Sequence, residues 1–285
     1  MTPVSSATIR SALAYLFAVL VVTFAVRYVG LNWSAFAAAI AAIATWKLAL
    51  AFALFVLYLA INAHAFAVLN RALDDSAPFR ELRCAWMASL PAKYLPGGFG
   101  HVLGRGALLA RLQVPVRVTV EAALWEQGLS VTYCALIAAC LFTAGDSAPE
   151  WTWLLIALAA TALAIAPAVA RHASVVRPGV TRALYRASAL YGFSMLPYAA
   201  GYLALAYSND WLSFLASLFA GTVAGVLAFP IPGGLGVRES AVLAMTESAS
   251  ASSILSAMIA GRVLILIAEM AASYLGLRSL RRSAR

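Results

Sequence analysis

Apolar runs of about twenty residues, rich in Ala and Leu, recur along this chain, and about twenty apolar residues is the length a helix needs to cross the hydrocarbon of a bilayer. In lipid a backbone must satisfy its own polar groups, which only helices and closed barrels do. Barrel strands would read as alternating segments of roughly ten residues, and the runs here are longer and do not alternate. Of the 285 residues, 64% are hydrophobic and only 11% are charged, too few for the surface of a soluble domain. The expectation is an all-α integral membrane protein, one transmembrane domain over residues 1–285.

Six spans are predicted, over 11–29, 46–69, 117–142, 151–170, 187–207 and 254–278, with 34–45 as an Ala-rich linker. The run after Arg10 is long for a cleaved signal peptide and is read as the first span. Arginines gather at 71, 80 and 83, at 171, 177, 182 and 186, and at 278, 281, 282 and 285, whereas 143–150 and 207–211 carry no Lys or Arg. Positive loops stay on the cytoplasmic side, so both termini are expected there, in a bacterial inner membrane. The threading closes only if the two remaining apolar stretches, 86–112 and 211–250, each enter and leave on one face. They are therefore read as re-entrant hairpins from opposite sides.

Those two stretches share a sequence. Leu95-Pro96-Gly97-Gly98-Phe99-Gly100 matches Ile231-Pro232-Gly233-Gly234-Leu235-Gly236, and Pro96 and Pro232 are 136 residues apart. Each lies in a hairpin flanked by a span on either side, giving repeat units over about 46–142 and 187–278. The threading inverts one unit relative to the other, a pattern of transporters that bind near the midplane. Pro ends an incoming helix and Gly lets backbones approach. The outgoing helix then starts inside the protein with unpaired amides, which suit an anion.

Charges at bilayer depth cost roughly 2.5–3.5 kcal/mol on insertion scales. Arg105 follows the first Pro-Gly-Gly; Arg238 and Glu239 follow the second; Glu126 and Arg262, again 136 apart, lie on the spans that come next. The reading pairs Glu126 with Arg262 across the repeat. Thr119, Glu126, Ser130 and Tyr133 share one helical face, as do Arg262, Glu269 and Ser273. Arg105, Arg238 and Arg262 suit a phosphate; Glu126, Glu239 and Glu269 suit a cationic headgroup or a proton. Lys93 is a further phosphate contact or an interfacial side chain. With Pro96, Gly97, Gly98, Gly100, Pro232, Gly233, Gly234 and Gly236, these charges form the expected substrate site. A structural network holding helices together is the plainer alternative.

Cys84, Cys134 and Cys140 and His64, His101 and His172 show no metal-ligand spacing, and no metal or other cofactor is expected. The net charge of +9 is read as facing anionic lipid headgroups, not nucleic acid. No nucleophile or acidic metal motif stands out, so no enzyme is expected.

Leu95–Arg105, Ala123–Gln127, Phe229–Glu239 and Gly261–Arg262 together resemble the transmembrane domain of lysylphosphatidylglycerol synthase/flippase proteins, over residues 10 to 280. Pro-Gly-Gly-Leu-Gly-x-x-Glu at 232–239 is the most specific match; Gln127 stands where that family usually has Arg. The resemblance implies a short stand-alone flippase-like domain without the soluble aminoacyl-transferase part. Its cargo would be an anionic or aminoacylated phospholipid or a polyprenyl-phosphate-linked headgroup, with a homo-oligomer or a lipid-modifying enzyme as possible partners. The alternative function is a non-transporting subunit or enzyme of lipid-linked glycan or lipid modification.

Overall fold

A computed structural model describes residues 37–38, 41, 43–94, 100–145, 180–206, 210–228, 234, 236–246 and 251–283, with isolated helical residues between 152 and 161. The expected span 11–29, most of 151–170, and Pro96, Gly97, Gly98, Pro232 and Gly233 lie outside them.

Among the described residues, four long helices make the frame: α1 (Thr45–Leu73), α4 (Val116–Ala144), α5 (Val180–Leu205) and α8 (Ala251–Ser283). Four short ones lie between them: α2 (Phe79–Ser89), prolonged by a 3-10 turn at Leu90–Tyr94, then α3 (Gly100–Ala110), α6 (Trp211–Leu227) and α7 (Val237–Ala244). No strand occurs among the described residues. Among the described residues, three helices, α1, α4 and most of α8, are long and apolar enough to cross a membrane. Helix α5 is less apolar because of Tyr191, Ser194, Pro197, Tyr198 and Tyr202, and it turns all five inward. This is the composition of an all-α membrane protein, whose large apolar side chains, such as Leu103, Leu124 and Leu196, also face outward.

Local chemistry sets the boundaries. Pro78 and Pro115 precede α2 and α4 in extended conformation, where a missing N–H breaks no helical hydrogen bond. Asp210 caps α6, its Oδ1 accepting from Ser213 N at 3.0 Å.

The short helices form two antiparallel hairpins. In the first, a Cβ on Gly104 of α3 would lie 3.4 Å from the Ala92 Cβ, and Arg105 reaches back to Ser89. In the second, Gly221 and Gly225 of α6 let α7 approach: a Cβ on Gly221 would meet Arg238 O at 2.9 Å, and one on Gly225 would meet Arg238 Cβ at 3.3 Å. At 1.5 Å per residue the arms span about 12 to 25 Å, short of a hydrocarbon core of about 30 Å.

Two apolar clusters divide the frame lengthwise. One collects Leu82, Trp86 and Leu109 of the first hairpin with Leu59–Leu73 of α1, Val118–Leu129 of α4, Val180–Tyr191 of α5 and Ala268 of α8. The other collects Phe214, Phe219 and Val242 of the second hairpin with Phe55, Phe142, Tyr202 and Ile254–Ile265 of α8. Helices α1 and α8 thus run from the second cluster toward the first, and α4 and α5 run the opposite way. The hairpins sit at opposite ends of the frame.

Helices α1 and α5, equivalent under the 136-residue offset, pack antiparallel. Phe55 meets Tyr202 (ring centroids 5.3 Å) and Tyr58 meets Tyr198 (5.1 Å). Cross-packing is also matched: α8 lies on α2 of the first hairpin, and α4 on α6 of the second.

Candidate functional site

One face of α8 reads both hairpins. Residues 262, 269, 273 and 276 follow one another by seven, four and three, so they share a stripe. At its N-terminal end, Arg262 Nε donates to Glu239 Oε1 at 2.7 Å and Nη2 approaches Gly234 O at 3.4 Å. Further along, Glu269 pairs with Lys93 and accepts from the Tyr94 hydroxyl at 3.0 Å. Ser273 Oγ donates to Ala88 O at 3.1 Å, and Gly276 permits backbone contact, since a Cβ there would lie 2.6 Å from Cys84 O. Arg262 and Glu269 are about 10 Å apart along the axis, at the junction of the two clusters. The described inner ends of both hairpins are therefore tied to one helix, near the junction of the two clusters.

The Lys93–Glu269 pair is asymmetric. The Glu269 side chain is 2% exposed and that of Lys93 is 32% exposed. The long lysine stem reaches inward to a buried carboxylate while part of the side chain stays accessible.

The charges that sequence places 136 apart find their partners inside their own halves. Glu126 pairs with Arg105, and Arg262 with Glu239. This corrects the expected Glu126–Arg262 pairing across the repeat. In each half the long helix after the hairpin pairs with the hairpin's outgoing arm, with the sign of the charges exchanged. Among the ion pairs of the described residues, the one that crosses between halves is Lys93–Glu269.

Arg105 is a neutralised, enclosed cation rather than an open one. Its side chain is 1% exposed. Besides Glu126, Nε donates to Ser89 Oγ at 3.3 Å, and the guanidinium lies over Phe66 at 4.3 Å and Trp86 at 5.8 Å. Trp86 Nε1 donates to the other Glu126 oxygen at 2.7 Å. Both carboxylate oxygens are thus engaged, which is what a buried ion pair needs to persist.

At the start of α7 the amide of the residue before the helix is engaged internally. Gly236 and Gly234 hold positive φ, +82° and +61°, the left-handed region that favours glycine. The Gly236 amide donates to Glu239 Oε2 at 3.0 Å. Glycine offers no side chain in return, so this is half of a capping box. An internal carboxylate already occupies that amide, and Arg262 neutralises it.

Arg238 is arranged otherwise. It is 9% exposed, and its Nε and Nη2 have no hydrogen-bond partner. Its guanidinium rests on the rings of Tyr202 at 5.1 Å and Tyr198 at 5.4 Å. No carboxylate pairs with it among the described residues, whereas Lys93, Arg105 and Arg262 each have one.

Of the predicted residues, Gly100, Arg105 and Glu126 fall at the first hairpin, Gly234, Gly236, Arg238, Glu239 and Arg262 at the second, and Glu269 bridges to the first. Trp86, Ser89, Tyr94, Tyr198 and Tyr202 were not anticipated. The last two are spaced i, i+4 on a helix that is otherwise apolar there, a legible sign of a shared face. His101 Nε2 lies 3.4 Å from Gln127 Nε2, so Gln127, which departs from the resemblance pattern, contacts the first hairpin. No group of three or more His, Cys, Asp or Glu suits a metal among the described residues. Compared with protein-family models and with curated proteins, the chain matches none.

Proposed function

We propose that this chain is a multi-pass inner-membrane protein that moves an anionic lipid or lipid-linked headgroup across the bilayer. The observation that carries the reading is the stripe on α8. A single helix holds the inner ends of two opposed hairpins through Arg262 and Glu269, so a displacement of either hairpin is felt by the other. Alternating access needs such a coupling between two halves around a central site. The short hairpin arms, too short to span, support re-entrant loops. The antiparallel packing of α1 on α5 supports an inverted relation of the two units.

The arginines support an orientation. Arg71, Arg80, Arg111, Arg117, Arg182, Arg186, Arg278, Arg281 and Arg282 are exposed and cluster at the first hairpin's end of the frame, and Arg80 donates to Ser279 at 2.9 Å across that end. By the positive-inside bias that end is cytoplasmic, as is the C-terminus.

The test is reconstitution into liposomes carrying a fluorescent phosphatidylglycerol analogue in the inner leaflet, with a membrane-impermeant quencher outside. The wild-type protein is expected to expose the probe faster than protein-free vesicles. Glu269→Gln, which weakens the tie between the hairpins, is expected to slow it at least tenfold. A wild-type rate equal to that of empty vesicles overturns the reading.

A further inference from the structure

A proton added to a buried ion pair leaves a neutral acid and an unpaired cation, and the cost depends on where that cation can go. Among the described residues, protonating Glu126 would strand Arg105, whose side chain is 1% exposed, beneath Phe66 and Trp86. Protonating Glu239 would strand Arg262, 20% exposed, and weaken the acceptor of the Gly236 amide. Protonating Glu269 leaves Lys93, 32% exposed, whose flexible stem can carry its charge outward. A proton lost from Lys93 would do the reverse and leave a carboxylate 2% exposed without its cation. Glu269 is therefore the buried carboxylate that a proton neutralises at least cost.

Its partners are also placed to move. Lys93 and Tyr94 are consecutive residues of the 3-10 turn Leu90–Tyr94, a geometry with poorer hydrogen bonds than an α-helix. Helix α2, just before the turn, keeps separate ties to α8 through Ser273 and Ala88 and through the approach of Gly276 to Cys84. Loss of charge at Glu269 thus frees the turn without undocking α2. The other titratable or charged groups around the pair are spread over four helices. Tyr58 of α1 lies within electrostatic reach of Glu269. Arg262 of α8 lies within reach of Lys93 and Tyr94, with Glu239 and Arg238 of α7 beyond it. Tyr202 of α5 lies against Gly261, and Cys84 of α2 against Gly276. Glu239 is the other carboxylate of this set, and Arg262 already engages it.

We propose that Glu269 is a proton-binding site and that its proton works a latch. The ionised carboxylate holds the 3-10 turn of the first hairpin on α8, and the protonated one releases it. The proton comes from solution and forms an O–H bond on Glu269, while Lys93 keeps its own protons and its charge. Ionisable side chains inside membrane helices commonly serve as such relays. The inference deepens the transport reading by naming the ion that moves one hairpin relative to the other. It rests on that reading for its purpose and not for its test.

The experiment uses the full chain, with its three cysteines replaced by Ala and Ala92→Cys placed in the 3-10 turn, in an uncharged detergent. The rate of maleimide labelling is divided by that of the same chain unfolded in guanidinium chloride at the same pH, which cancels ionisation of the thiol itself. With Glu269 present, the corrected rate is expected to rise at least about fivefold as pH falls from about 8 to about 5, because the carboxylate gains its proton. Over the same interval the infrared difference between this chain and its Glu269→Gln variant should gain the C=O stretch of a carboxylic acid. Glu269→Gln, which mimics the protonated side chain, should label fast at both ends of the interval. A flat rate with Glu269 present overturns the proposal, as does a pH response that survives in Glu269→Gln, since the proton then binds elsewhere. The carboxylic acid band without a change in labelling overturns the latch. If Glu269→Gln fails to fold, Lys93→Gln takes its place: fast labelling at both pH values is expected, and slow labelling that still responds to pH overturns the pairing as its cause. Both signals in a protein that moves no lipid in liposomes remove translocation and leave the latch.

Discussion

Arg105 and Glu126 sit in the same low-dielectric interior as Arg238, but there both oxygens of Glu126 are engaged. Arg105→Ala strands that carboxylate and is expected to cost about 3–5 kcal/mol, read as a large fall in the thermal midpoint in detergent. Arg105→Leu combined with Glu126→Leu should recover most of it, since removing both charges removes the desolvation cost as well. A double variant no more stable than the single would show that the pair is not the reason. For Lys93 and Glu269 the exposures set the order. Lys93→Ala leaves a carboxylate that is 2% exposed with Tyr94 as its remaining partner, whereas Glu269→Ala leaves a lysine able to turn toward water. Lys93→Ala should therefore lower the midpoint more than Glu269→Ala, and the reverse order would contradict the assigned burial.

The hairpins depend on small residues at close approaches. With Cys84, Cys134 and Cys140 replaced by Ala, Ala92→Cys with Gly104→Cys should form a disulfide under mild oxidation. The Cβ separation of 3.4 Å is close to the 3.5–4.5 Å that a disulfide needs. A failure of the two thiols to cross-link would mean that the arms do not pair as described. Gly234 is constrained twice, by its positive φ and by the Gly225 carbonyl oxygen 2.7 Å from any added Cβ. Gly234→Ala is expected to destabilise by more than the roughly 1 kcal/mol of backbone strain alone, with the excess measuring how far α6 and α7 are forced apart.

Across the whole molecule, the opposed hairpins make a topological prediction. In the same cysteine-free background, single cysteines at Ser279 and Asp210, exposed to impermeant maleimide in sealed vesicles of known orientation, should label from opposite sides. Labelling from one side would break the opposed arrangement. The all-helical character of the described chain, its two antiparallel hairpins and the face of α8 shared by Arg262, Glu269 and Ser273 were legible from apolar run length, the repeated Pro-Gly-Gly and helical spacing. The partners were not. Glu126 and Arg262 are equivalent by offset, yet each turns to its own hairpin. Helical spacing fixes which face a charge occupies but not which neighbour packs on that face.

Run length in lipid and the 136-residue repeat thus determined, from sequence alone, that this chain builds helices, interrupts them twice and buries charges beside each interruption, because backbone satisfaction and Pro-Gly chemistry are local. Which buried cation is left without a carboxylate among the described residues was decided only by packing. Ser89, Trp86 and Glu126 converge on Arg105, Glu239 folds back to meet Arg262, and Tyr198 and Tyr202 support Arg238 without neutralising it. Those outcomes depend on side chains brought together from segments distant in the sequence, and such meetings exist only once the helices have packed.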